Sequence, residues 1–125
     1  MYFVATSSAK LTVTGNDADL SKINKFDNAF VNNGVLNVQG VEFSGNNVAV
    51  ANNNVMNVSG ITKIEDKVTG NGIMNVTDGT TTLTGSNAQV SNTMNVGSAA
   101  TVKVESGAGV TGMVNNQGTY ECDLC

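Results

Sequence analysis

Apolar and polar residues alternate along most of this chain, and the alternation keeps returning in nearly the same words. Residues 33–38 read NGVLNV and residues 71–76 read NGIMNV, with VMNV at 55–58 and TMNV at 93–96. An apolar side chain at every second position, with asparagine between, is the period of a strand that buries one face. The valine and threonine that fill these runs suit a pleated surface. Gly and Asn punctuate the boundaries, at 32–34, 46–47, 52–54 and 71–72 and at Gly107 and Gly112, and both residue types tolerate the left-handed backbone of tight corners. Leu20, Ile23, Phe26 and Phe30 have a helix-like spacing, but alignment of the repeats accounts for them as strand.

The echoes lie about 20 residues apart, the length of one turn of a stacked β-coil. A second regularity is superimposed on the first. Residues 23–27, 61–65 and 101–105 each carry lysine third, an apolar residue fourth and a carboxylate fifth, which defines a B-type unit. Residues 11–15, 41–45 and 81–85 end in glycine and place an apolar residue third, which defines an A-type unit. The full repeat is thus about 40 residues used three times, with A-type units at 11–22, 41–60 and 81–100 and B-type units at 23–40, 61–80 and 101–118. Gln117–Thr119 repeats the lead-in Gln39–Val41, so 119–125 opens a partial fourth A-type unit. The expected fold is all-β: a single repetitive domain over 1–125, a β-solenoid or β-arch array that continues between subunits into a β-sheet polymer. A neighbouring molecule is expected to supply what the partial unit lacks.

Composition narrows the chemistry. Aromatics are 5% and charged residues 13%, so Asn, Ser, Thr and Gly must cover most of the surface, which is then neutral, flat and suited to packing on copies of itself. A net charge of −4, with six lysines and no arginine, offers nucleic acid no basic stripe. No apolar run approaches the roughly 20 residues that cross a bilayer, so membrane insertion is not expected. Residues 1–9 lack the basic start and long apolar run of a signal peptide. The chain has no histidine and no gathered set of carboxylates, so neither an enzyme, a cofactor nor a small-molecule substrate is expected. Asp17 and Asp19 could face a calcium ion together, but 86–89 and 46–49 carry no carboxylate, whereas a calcium repeat would restore its ligands in each copy.

Three sets of residues remain as candidates. Lys25 with Asp27, Lys63 with Glu65 and Lys103 with Glu105 place opposite charges on one strand face, either as a solvated face or as a charge ladder that sets register. Asn57 and Asn75 begin the sequons NVS and NVT at equivalent repeat positions; they are either glycosylated or part of an unmodified asparagine ladder. Cys122 and Cys125 form a C-x-x-C pair. In an extended tail their Cα atoms would lie about 10 Å apart, beyond the roughly 7 Å reach of a disulfide, so intersubunit cross-links lead over a local turn disulfide, free thiols or a shared metal.

A chain rich in Gly, Asn and Val, built of β-repeats without a cap or a proline and ending in Cys122 and Cys125, resembles the amyloid-like sheath proteins of methanogenic archaea such as Methanospirillum. The resemblance implies an extracellular tube of stacked β-sheet hoops, resistant to denaturants and cross-linked by disulfides. The leading expectation is accordingly a structural protein that assembles with itself through edge-strand pairing into a sheath, tube or filament outside the cell. The alternative is the β-helical shaft of an adhesin or phage fibre. An ice-binding solenoid would repeat flat Thr-x-Thr arrays on every coil, beyond the single hint at 80–84. A carbohydrate-active β-helix enzyme would want a convincing acid pair.

Overall fold

The computed structural model describes residues 3–5, 10–14, 24–26, 30–45 and 48–124. They form a β-solenoid in which each coil contributes one strand to each of three faces. The first coil supplies β1 (Phe3–Ala5), β2 (Lys10–Thr14) and β3 (Asn24–Phe26), and the second β4 (Phe30–Asn32), β5 (Val35–Gln39) and β6 (Val41–Phe43). The third supplies β7 (Val48–Asn52), β8 (Val55–Ser59) and β9 (Ile61–Ile64). In the fourth, β10 (Lys67–Thr69) is followed by β11 (Ile73–Leu83), which runs through both remaining faces; β12 (Gln89–Val90) and β13 (Thr93–Val104) do the same in the fifth. The last coil has β14 (Gly109–Val110), β15 (Val114–Asn116) and β16 (Thr119–Cys122). Every pairing between coils is parallel, and face one is six strands deep in the order β1-β4-β7-β10-β12-β14. Among the described residues there is no helix, and Phe26 and Phe30 lie in strands. Leu20 and Ile23 lie outside the described residues, as do Asp17 and Asp19.

From 23 to 118 each A- or B-type unit is one coil, read from its third-face strand; the A-type unit expected at 11–22 departs from this, because its opening stretch is β2, which stacks on β5 of face two rather than with the third-face strands at 41–43 and 81–83. Residues 41–60, for example, contain β6, β7 and β8. The period-two pattern then sorts each side chain in or out: β8 alternates half-buried Val55, Asn57 and Ser59 with buried Met56 and Val58. Because the register is in step from coil to coil, like stacks on like. Leu36, Met56, Met74 and Met94 form one interior column, Val38, Val58, Val76 and Val96 a second, and Phe43, Ile64, Leu83 and Val104 a third. All of these are 2% exposed or less. Their burial is the main favourable term, at about 1.5–3 kcal/mol per large side chain.

The corners depend on backbone that other residues rarely adopt. Gly40, Gly60 and Gly79 share the corner between faces two and three with φ of 63, 71 and 71°, and a Cβ at Gly79 would run into the Gly60 carbonyl. The left-handed conformation costs a residue with a Cβ roughly 1–2 kcal/mol, and at Gly79 there is also no room for the methyl group.

Two buried hydroxyls among the described residues, those of Ser44 and Thr81, lack a hydrogen-bond partner. That of Thr81 lies in a column with Thr62 and Val102. Thr62 escapes the same penalty by donating to the Ser59 carbonyl at 3.1 Å. Thr81→Val removes an unsatisfied donor and is expected to raise stability by about 1 kcal/mol. Urea unfolding of the two proteins measures this, and a lower midpoint for the valine variant would contradict the assignment.

Candidate functional site

The chemistry of this molecule resides in ladders rather than in a cleft. On the outer side of face two, β5, β8, β11, β13 and β15 each present an asparagine at the same register position. The Asn57 amide donates to Asn37 Oδ1 at 2.8 Å, Asn75 to Asn57 at 3.0 Å, Asn95 to Asn75 at 3.0 Å and Asn115 to Asn95 at 2.9 Å. Each interior member of this ladder uses its amide both ways. Asn57 and Asn75, the sequon residues, are therefore half-buried rungs whose Nδ2 already donates to a neighbour. A glycan on either Nδ2 would replace one of its two hydrogens and stand in the middle of the row.

A second ladder turns inward at the corner between faces one and two. Asn32 donates to Asn52 Oδ1 at 2.9 Å, and Asn52 donates to Asn92 Oδ1 at 3.0 Å although the two are 40 residues apart. The coil between them carries Gly70 at this place, with φ +93° and no space for a Cβ beside the Asn52 carbonyl. The missing side chain lets Asn52 and Asn92 meet across the coil, so the alternation of A- and B-type units has a physical role at this corner. These asparagines also bind backbone: Asn32 donates to the Val55 carbonyl at 2.8 Å and Asn52 to that of Ile73 at 3.1 Å. Each corner carbonyl that the turn leaves open thus gains an amide.

Face three carries the charges. The strand register aligns Lys25, Glu42, Lys63, Thr82, Lys103 and Glu121 in one column. Lys63 therefore has Glu42 as its neighbour on the preceding coil, and Lys103 has Glu121 on the following one. Within one coil Lys63 Nζ lies 3.3 Å from Glu65 Oε1, both about a third exposed or more, so the pair contributes little beyond register, on the order of 0–1 kcal/mol. Glu105, two residues after Lys103, is exposed, and Asp27 lies outside the described residues. A groove on this face is lined by Ile61, Lys63, Thr80, Thr82, Thr84 and Glu105. Among the described residues no group of His, Cys, Asp or Glu is placed to hold a metal ion.

The tail differs from the extended segment expected of it. β16 ends at Cys122, and Asp123 and Leu124 form a turn. Cys122 is disulfide-bonded, and Cys125 lies outside the described residues. The expectation of intersubunit cross-links at Cys122 and Cys125 rested on a straight tail, and the turn removes that premise. Sequence alone offered only a weak sign of it, in Asp123, because the segment ECDLC contains neither Gly nor Pro to mark a reversal.

The last coil is the surface that sequence reasoning located only approximately. Val110, Val114, Tyr120 and Cys122 pack against the core from one side and remain partly exposed on the other. Burial also pushes the Tyr120 hydroxyl above its ordinary pKa. The backbone N–H groups of Thr111, Gln117 and Asp123 donate back to Val90, Val96 and Val104. In a parallel strand alternate residues direct N–H and C=O to opposite sides, so Asn116, Tyr120 and Cys122 aim theirs away from the solenoid.

Comparison with protein families, with curated proteins and with solved structures finds no match to this chain. Among the described residues no helix is long and apolar enough to cross a membrane.

Proposed function

We propose that this chain is a structural subunit that assembles with itself, coil upon coil, into an extracellular sheath, tube or filament. The observation that carries the reading is the parallel stack of like coils, whose last described coil presents a row of backbone groups and half-buried apolar columns on the side away from the other coils. Edges of this kind template the addition of another strand. A parallel solenoid also has matching ends. If the first coil of a second copy lay on the last coil of the first, the Leu11 position would follow Val114 in the column of Leu36 and the methionines. The Phe3 position would follow Val110, and Lys25 would follow Glu121, extending the charge column with the favourable sign. The joint would thus reproduce the contacts already made between coils inside the chain.

The disulfide at Cys122 supports an oxidising setting outside the cytosol. The ladders of amides and apolar side chains support strength without catalysis. Sedimentation of the purified chain over a range of concentrations tests the reading. Assembly above a sharp threshold is expected, and a monomer at every concentration would exclude it. A discrete trimer in place of an open polymer would instead favour a fibre shaft.

A further inference from the structure

Resting on that reading, we infer that the outer side of face two is a lateral contact surface whose occupant is the same face of a second copy, so that stacked solenoids pair side by side. Its outward positions are Val35, Asn37 and Gln39 on β5, Val55, Asn57 and Ser59 on β8, and Ile73, Asn75 and Thr77 on β11. They continue as Thr93, Asn95 and Gly97 on β13, then Met113, Asn115 and Gln117 at β15. None of these fifteen is charged, although β2, the first strand of the face, carries Lys10 at the register position of Val35, and Glu42, Lys63, Glu65, Lys103, Glu105 and Glu121 crowd face three. Among the described residues, two of the three exposed large hydrophobic side chains, Ile73 at 39% and Met113 at 66%, fall on one column of this face, in line with Val35 and Val55. Beside that column runs the asparagine ladder, whose amides bond along the stack and so need little from water. On the far side of the ladder the missing side chain of Gly97 opens a shallow groove between Thr77 and Gln117.

A flat, neutral surface with an apolar ridge, an internally satisfied amide row and a groove has the parts of a dry interface between like sheets. Across β5, β8, β11, β13 and β15 a charged ligand finds no partner, and like-with-like packing there strands no ion; Lys10 stands only at the edge of this surface, on β2. Area decides when the contact matters. Five strands about 4.8 Å apart and five to six residues of about 3.3 Å give roughly 400 Å² per copy, hence about 800 Å² in total. That is below the roughly 1,200 Å² of stable complexes. A lone pair of chains would therefore dissociate readily, whereas two stacked filaments repeat the contact at every subunit and hold through multivalency.

Two measurements separate this inference from the stacking on which it rests. In electron micrographs wild-type assemblies should be laterally paired, and Ile73→Glu, which places charge on the ridge at an already exposed position, should give single filaments at an unchanged assembly threshold. Pairing that survives Ile73→Glu, or wild-type filaments that are always single, would overturn the lateral contact. The second measurement needs no filament. Thr77→Cys in the free chain at high concentration should be trapped as a covalent dimer about ten-fold faster than Thr82→Cys, which lies on the charged face. Equal trapping rates would overturn the inference. Preferential trapping in a chain that never polymerises would keep the lateral contact and discard the stacking.

Discussion

Val114→Lys is expected to leave a folded solenoid that no longer assembles. In the free chain Val114 sits half-buried on the last coil, against Met94, so a lysine there can lift its ammonium into water at small cost. In a joint between copies the same position is closed from above by the Leu11 strand, and the charge would be buried without a partner. The penalty for such a charge is several kcal/mol. Taking about 4 kcal/mol, the assembly threshold should rise about 1000-fold. Circular dichroism establishes that the variant is folded, and sedimentation reads the threshold. An unchanged threshold would show that the last coil is not where copies meet.

Asn52→Ala is expected to be far more damaging than substitution of an exposed asparagine. Asn52 is fully buried, and its side chain accepts from Asn32 and donates to Asn92 and to the Ile73 carbonyl. Alanine leaves three groups short of a partner in a dry corner, a loss of about 3–4 kcal/mol on the scale of about 1–3 kcal/mol for each unsatisfied buried group, lessened by the bonds Asn32 and Asn92 keep elsewhere. That is a large share of the 5–15 kcal/mol that typical domains possess. Asn53→Ala is the control, since Asn53 is exposed and makes its 2.9 Å bond to Asn33 at the surface. It should cost less than about 1 kcal/mol. Chemical unfolding of both measures the difference, and similar losses would mean that the inner ladder does not hold the corner.

Much of this molecule could be read from its sequence, because a stacked coil writes its register into spacing. The 20-residue echoes of NGVLNV place Leu36 on Met56 and Val38 on Val58, and the alternation inside each echo turns the asparagines outward. The 40-residue alternation was equally visible, but its physical reason was not. That reason needs the knowledge that Gly70 lies between Asn52 and Asn92 in space, and that the absence of one side chain lets two others meet. Charge placement was legible in part. The spacing pairs Lys63 with Glu65, which lie 3.3 Å apart, while the register also sets Glu42 beside Lys63 and Glu121 beside Lys103 on adjacent coils, positions that no local window contains. The turn after Cys122 stood in the sequence only as the alternative of a local turn disulfide, because Asp123 without a neighbouring Gly or Pro is a weak turn signal. Face two, finally, is conspicuous only once the fifteen outward positions of β5, β8, β11, β13 and β15 are gathered and found to carry no charge, with Lys10 on β2 at the edge of the surface.

The proposal that coils continue from chain to chain is tested most directly by electron cryomicroscopy of the concentrated protein, with the axial repeat as the readout. Six coils per chain, at about 4.8 Å each, predict filaments whose strands lie across the axis and whose subunits recur every 29 Å or so. Dispersed single particles at every concentration, or filaments lacking the strand spacing along their axis, would contradict it.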